Sequence, residues 1–251
     1  MKTALLALLL AASSTENNAL FALYAEGHYE EAMRQGAATG TAAGFAIAAR
    51  AAMADAMMRP APCLECLRRG EAFARRAVAA DGQAPDGHIW LAAALGYEAR
   101  IVGLVRARID NDPAQAKEHL DAALRAEPDN AYALAALGGW NMEIVRMGGK
   151  FLARRLYDAS PEQGFALFDH AERLAPRNVA IRYQIALSLA GLDPEAYRSR
   201  LENELDAVIH AVPETVYEKF IQGRAEALLA LLKHGDREAF DEKVRNYQGY
   251  P

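Results

Sequence analysis

Apolar residues recur at three- and four-residue intervals along most of this chain, and runs that alternate apolar with polar are missing almost throughout. That pattern predicts helices and no appreciable sheet. Three segments share a single spacing, starting at Gly70, Ala116 and Gly164. Each small residue is followed four positions on by a packing residue (Ala74, Leu120, Phe168) and seven on by alanine (Ala77, Ala123, Ala171). Residues i and i+4 share a helix face, so this spacing brings two helices close together. A turn follows twelve residues after the start, at Gly82, Pro128 and Pro176. Proline stops the helix there, and a following Asn (Asn130, Asn178) caps the next.

The helices predicted after these turns also match one another. They read Trp90, Ala93, Ala94 and Tyr97; Leu134, Leu137, Gly138 and Asn141; then Arg182, Ile185, Ala186 and Leu189. A residue, another at +3, a small one at +4 and another at +7 make one face. The chain therefore reads as a stack of antiparallel helix pairs.

This pattern resembles the tetratricopeptide (TPR) motif, and the unit from Leu134 to Pro176 carries it best. The stretch Gly27-His-Tyr-Glu-Glu-Ala32 is similar to the joint inside one TPR unit, and Leu205–Pro213 resembles the second helix of a degenerate last unit. TPR units repeat every ~34 residues, whereas Pro128 and Pro176 stand 48 apart and Ala77 and Ala123 stand 46 apart. The extra residues, 98–108 and 143–156, read as extensions of the first helix of a pair, each ending at a turn with Pro113 or Pro161. Long first helices of this kind are similar to the regulator-of-microtubule-dynamics family over roughly residues 85–190. That resemblance implies a TPR fold that can hold lipid and act as a tether at membrane contacts. Exported bacterial TPR proteins that assist transporters are a further likeness. The fold expected is all-α, a short right-handed solenoid of three to five helix pairs with a concave binding face.

Composition narrows the function. Of 251 residues 52% are hydrophobic and 24% charged, a globular balance. Net charge is −5, with acidic and basic residues interspersed. Nucleic-acid binding rests on clustered positive charge, so it is not expected. The apolar run at residues 3–12, after Lys2 and before Ser13-Ser14, has the plan of a signal peptide. Cleavage after residue 13 or 14 would export the domain 15–251 to a periplasm or beyond; without cleavage the same run is a first helix of a cytoplasmic protein. No run reaches the ~20 apolar residues of a membrane span.

Chemistry is sparse. Cys63 and Cys66 can form a local disulfide, remain thiols, or do redox work, and two cysteines alone hold no zinc. Six histidines stand at no i, i+4 metal spacing and read as surface or capping groups; there is no G-x-S-x-G, and Gly148-Gly149-Lys150 lacks the rest of a phosphate loop. No enzyme, cofactor or metal is therefore expected. The glycine pairs 138–139 and 148–149 point to close helix packing or to an approaching ligand. Tyr97, Glu98, Arg100, Asn141, Glu143, Arg146, Lys150 and Tyr183 are the candidate groove residues. Facing the hollow, they would engage a protein or peptide partner; facing outward, the charged ones are surface pairs of little energetic weight. The alternative occupant is a lipid or other small apolar ligand between the helices.

Overall fold

Alanine and glycine decide how closely the helices of this chain approach. In the computed structural model, residues 15–251 are described, and the predicted signal segment 1–14 lies outside them. All thirteen regular elements among the described residues are helices. The first, α1, crosses residues 15–25. It is followed by α2 (Tyr29–Ala38), α3 (Ala42–Met58), α4 (Leu64–Ala80), α5 (Pro85–Val102), α6 (Leu104–Ile109) and α7 (Asp112–Ala126). Then come α8 (Ala131–Tyr157), α9 (Pro161–Leu174), α10 (Val179–Leu192), α11 (Arg198–His210), α12 (Val216–His234) and α13 (Arg237–Tyr247).

The helix boundaries follow local chemistry. Asn130, Ser160, Asn178 and Thr215 each accept a backbone N–H of the following turn through the side chain, which satisfies a donor that the helix cannot. Pro128 and Pro176 precede two of these caps, as the spacing predicts.

Consecutive helices pack as pairs, α3 on α4, α5 on α7, α8 on α9, and α10 on α11. α12 packs on α13 in the same way, and the first members of these five pairs, α3, α5, α8, α10 and α12, also pack on one another in that order and form an inner layer. Alanine lets α3 sit deep, with Ala48, Ala49, Ala51 and Ala52 fully or nearly fully buried. A Cβ added at Gly36 would stand 2.5 Å from the Gly44 carbonyl, and one at Gly44 would stand 2.6 Å from the Gly36 carbonyl. The two backbones touch there, and no larger residue fits.

Two features depart from a plain repeat stack. First, the inserts are not straight extensions. Gly103 (φ 83°, ψ 162°) ends α5 and starts the separate short helix α6, and Gly149 (φ 72°, ψ 161°) kinks α8. Second, the inner layer does not stay open. α12 meets α3, where Arg224 donates to the Met57 carbonyl at 2.9 Å, and Val216 packs under Gly27. The expected concave face is thus curled into a ring around a cavity.

Candidate functional site

The cavity enclosed by the inner helices has a volume of about 650 Å³ and is partly open to solvent. Small-molecule sites run from about 300 to 1,000 Å³. Its wall is aliphatic and aromatic, with Met53, Ile89, Leu95, Ile144, Ile181 and Leu187 among the aliphatic side chains. Both tryptophans, Trp90 and Trp140, and seven of the ten tyrosines line it. Those tyrosines come from six helices and the C-terminal segment, so the aromatic wall exists only in the assembled ring.

Cations are set into this apolar wall. Arg50 lies among Tyr24, Phe21, Trp90 and Tyr132, its guanidinium carbon 4.5 to 5.7 Å from their ring centroids. Cation–π contact stabilises it in part. Its Nε is nonetheless buried with no hydrogen-bond partner. Four buried side-chain polar atoms make no hydrogen bond among the described residues, and three of them, Arg50 Nε, Arg100 Nε and the Tyr183 hydroxyl, belong to cavity-lining residues; Arg100 Nε is within ion-pair reach of Glu143. Buried polar groups are almost always hydrogen-bonded, and exceptions call for an explanation. Burial also holds the Tyr183 phenol well above its usual pKa, so it stays a neutral donor.

A second polar group closes one flank. Arg146 makes a two-pronged contact with Glu143, both bonds at 3.0 Å, while Arg100 Nε lies 3.5 Å from the same carboxylate. Tyr250 hydrogen-bonds both Glu143 and Arg146, and Arg100 donates to the Gln248 carbonyl at 3.0 Å. Burial alone would raise the Glu143 pKa, but Arg100 and Arg146 hold it down to about 2. Two guanidiniums against one carboxylate leave this flank positive. With Arg50, Arg224 and Arg245 also lining the cavity, Glu143 and Asp112 are the only carboxylate side chains in its wall among the described residues.

Of the residues singled out in the sequence, Tyr97, Arg100, Glu143, Arg146 and Tyr183 line the cavity. Three do not. Glu98 turns toward α4, 3.7 Å from Arg68, and burial beside Glu71 pushes its carboxyl up to about 7. Asn141 is a structural bridge, donating to the Leu137 carbonyl and accepting from the Ser160 N–H. Lys150 is exposed just beyond the Gly149 kink. Gly138 packs against Phe168 and the Gly164 carbonyl, whereas Gly139 faces the cavity beside Gln184.

Sequence reasoning missed Arg50, Tyr250 and a histidine pair. Arg50 had a signal, as the one basic residue in the alanine- and methionine-rich α3. Tyr250 had none, because its partners lie more than a hundred residues away. His88 is buried, not surface, with its Nδ1 2.9 Å from that of His119. No group of three or more metal-ligating side chains occurs among the described residues. Cys63 and Cys66 are disulfide-bonded at the start of α4, with Cα atoms 5.3 Å apart.

The family model described as regulator of microtubule dynamics protein 1-3 matches residues 9–210. No match to an individual curated protein was found. The matched span takes in the inner helices α3, α5, α8 and α10, and therefore most of the cavity wall.

Proposed function

This chain belongs to the regulator of microtubule dynamics protein 1-3 family, and from that premise we propose a non-catalytic binding protein whose cavity holds an amphipathic small molecule with an anionic end. The observation that carries this reading is the pair of features in one chamber: an aromatic and aliphatic wall, and the buried Arg50 guanidinium set into it, whose Nε has no hydrogen-bond partner. An apolar tail would fill the volume, and an anionic group would satisfy Arg50. A lipid fits that chemistry, as does a free acidic amphiphile.

The family is one of regulators by its description, which supports protein partners as well. A peptide on the concave face would have to fit inside a ring whose cavity is only partly open to solvent. A smaller ligand suits that geometry better and leaves the outer surfaces to a protein. The helix pairs serve as TPR-like units in this reading, and the N-terminal run 3–12 serves as an export signal.

Native mass spectrometry of the full protein from its own host, compared with the denatured sample, tests this. An added mass of several hundred daltons that disappears on denaturation is expected. Arg50→Met should reduce occupancy by roughly 10- to 100-fold, since a charged hydrogen bond is worth about 1.5–3 kcal/mol. A bare chain that also takes up no added anionic amphiphile would sink the proposal. The same spectrum reads the N-terminus, where loss of residues 1–13 or 1–14 supports export and an intact Met1 opposes it.

A further inference from the structure

The two inserts are copies of one device. Each starts at a glycine with nearly the same backbone geometry, Gly103 (φ 83°, ψ 162°) and Gly149 (φ 72°, ψ 161°). Each carries a buried alanine four residues on, Ala107 and Ala153, which anchors the short helix to the body. Each ends on a left-handed residue, Asn111 (φ 60°) and Asp158 (φ 51°). Because α5 and α8 are both inner helices, the two inserts project from the same rim of the ring.

What they project is unusual for a soluble surface. Two residues after each glycine stands a large apolar side chain in water, Val105 (77% exposed) and Phe151 (80% exposed). Ile109, Leu152 and Leu156 are exposed beside them. Five of the nine exposed large hydrophobics among the described residues thus fall in these two short segments. Interleaved are Arg106, Arg108, Lys150, Arg154 and Arg155. Arg106 pairs with Asp110, and the other four form no ion pair among the described residues. A chain of net charge −5 therefore concentrates positive charge where its apolar residues are bare.

Short helices with exposed apolar residues and flanking cations have the composition of interfacial helices, which insert the apolar side and attract anionic headgroups with the other. We propose that the paired inserts 104–109 and 150–157 dock the protein on an anionic membrane surface. Charge complementarity selects this occupant, because a neutral apolar partner would leave four unpaired cations at its edge. Ile101, Gly103, Pro113 and Met147, at the bases of the inserts, line the cavity, so docking brings the cavity to the bilayer. The proposal goes beyond the cavity ligand and stands without it.

Flotation of the full protein with vesicles tests it, using phosphatidylcholine alone and phosphatidylcholine with an equal part of phosphatidylserine. Binding to the anionic vesicles is expected, weakening with salt. Each Lys or Arg near an anionic surface is worth roughly fivefold in partitioning, so K150A/R154A should weaken binding by about 25-fold. V105S/F151S/L156S should weaken it at all salt concentrations. These side chains are exposed, so unchanged circular dichroism is expected for both variants. The run 3–12 is a second route to a bilayer, and the readout is therefore the difference between parent and variant. Equal binding to both vesicles, or variants that bind like the parent, would overturn the proposal. So would absence of vesicle binding with capture of an acidic peptide, which points to a protein surface instead. Ligand mass in native spectra reports the cavity and is independent of flotation.

Discussion

Glu98 and Glu143 stand at similar places on α5 and α8, yet one faces a neighbouring helix and the other the cavity. Their offset from the glycine breaks explains it. Arg100 and Arg146 both lie three residues before the glycine and both line the cavity, whereas Glu98 lies five before and Glu143 six before. One residue turns a helix by about 100°. Tyr97, at the position equivalent to Glu143, lines the cavity with it. The Glu143–Arg146 pair was legible in the sequence, but the direction in which the insert charges point was not, because it depends on where the helix breaks. The two carboxyls have opposite consequences for stability. The Glu98 pKa is raised to about 7, by burial and by Glu71, above its unfolded value near 4.5. Its contribution is therefore fully present below pH ~4.5 and lost as pH rises through ~7. The Glu143 pKa is lowered to about 2, so its contribution is present above pH ~4.5 and lost as pH falls toward 2. Glu98→Gln, which keeps the neutral shape, should stabilise the protein at pH 8 by on the order of 1 kcal/mol and leave it unchanged near pH 4.5. Urea unfolding at the two pH values checks this; equal effects at both would show that Glu98 is charged throughout.

At the level of elements, the antiparallel pairs were readable because small residues recur at fixed spacing and Asn130 and Asn178 cap where proline stops. The breaks in the inserts were not. Glycine within an apolar periodic run reads equally as close packing, a kink or a mere cost, and the pairs 138–139 and 148–149 turn out to hold different answers. Gly138 is a packing glycine, since a Cβ there would stand 2.5 Å from the Phe168 ring. Gly149 is a conformational one, with open space around it and a backbone that suits glycine alone. Gly148 is neither, with its nearest contact at 3.7 Å and helical geometry. Gly149→Ala should therefore cost about 1–3 kcal/mol through backbone strain, while Gly148→Ala should be neutral or gain up to about 1 kcal/mol from helix propensity. The comparison is made by chemical denaturation of the two variants. Similar values would mean that the kink is not held by the Gly149 backbone.

For the whole molecule, the decisive contact joins α3 and α12, where Arg224 and Met57 are 167 residues apart. No periodicity carries information over that distance, and so the sequence predicts an open concave face where the structure has a ring. Closure changes what binding does. A ligand in the cavity would touch α3, α5, α8, α10 and α12 at once, and it would link α3 to α12, which otherwise meet across one narrow seam. It binds only the folded ring, so at a hundredfold excess over its Kd it should add about 2.7 kcal/mol to stability. For a chain of this size that corresponds to roughly 5–10 °C in Tm. Calorimetry of the protein as purified, after solvent extraction of bound amphiphile and after reloading should show that fall and recovery. Hydrogen exchange locates it: amides of α3 and α12 near the seam should gain the most protection on loading, because the ring opens there first. Uniform protection, or a Tm indifferent to extraction, would mean that the seam holds without help and that the cavity is not the site through which this protein responds to a ligand.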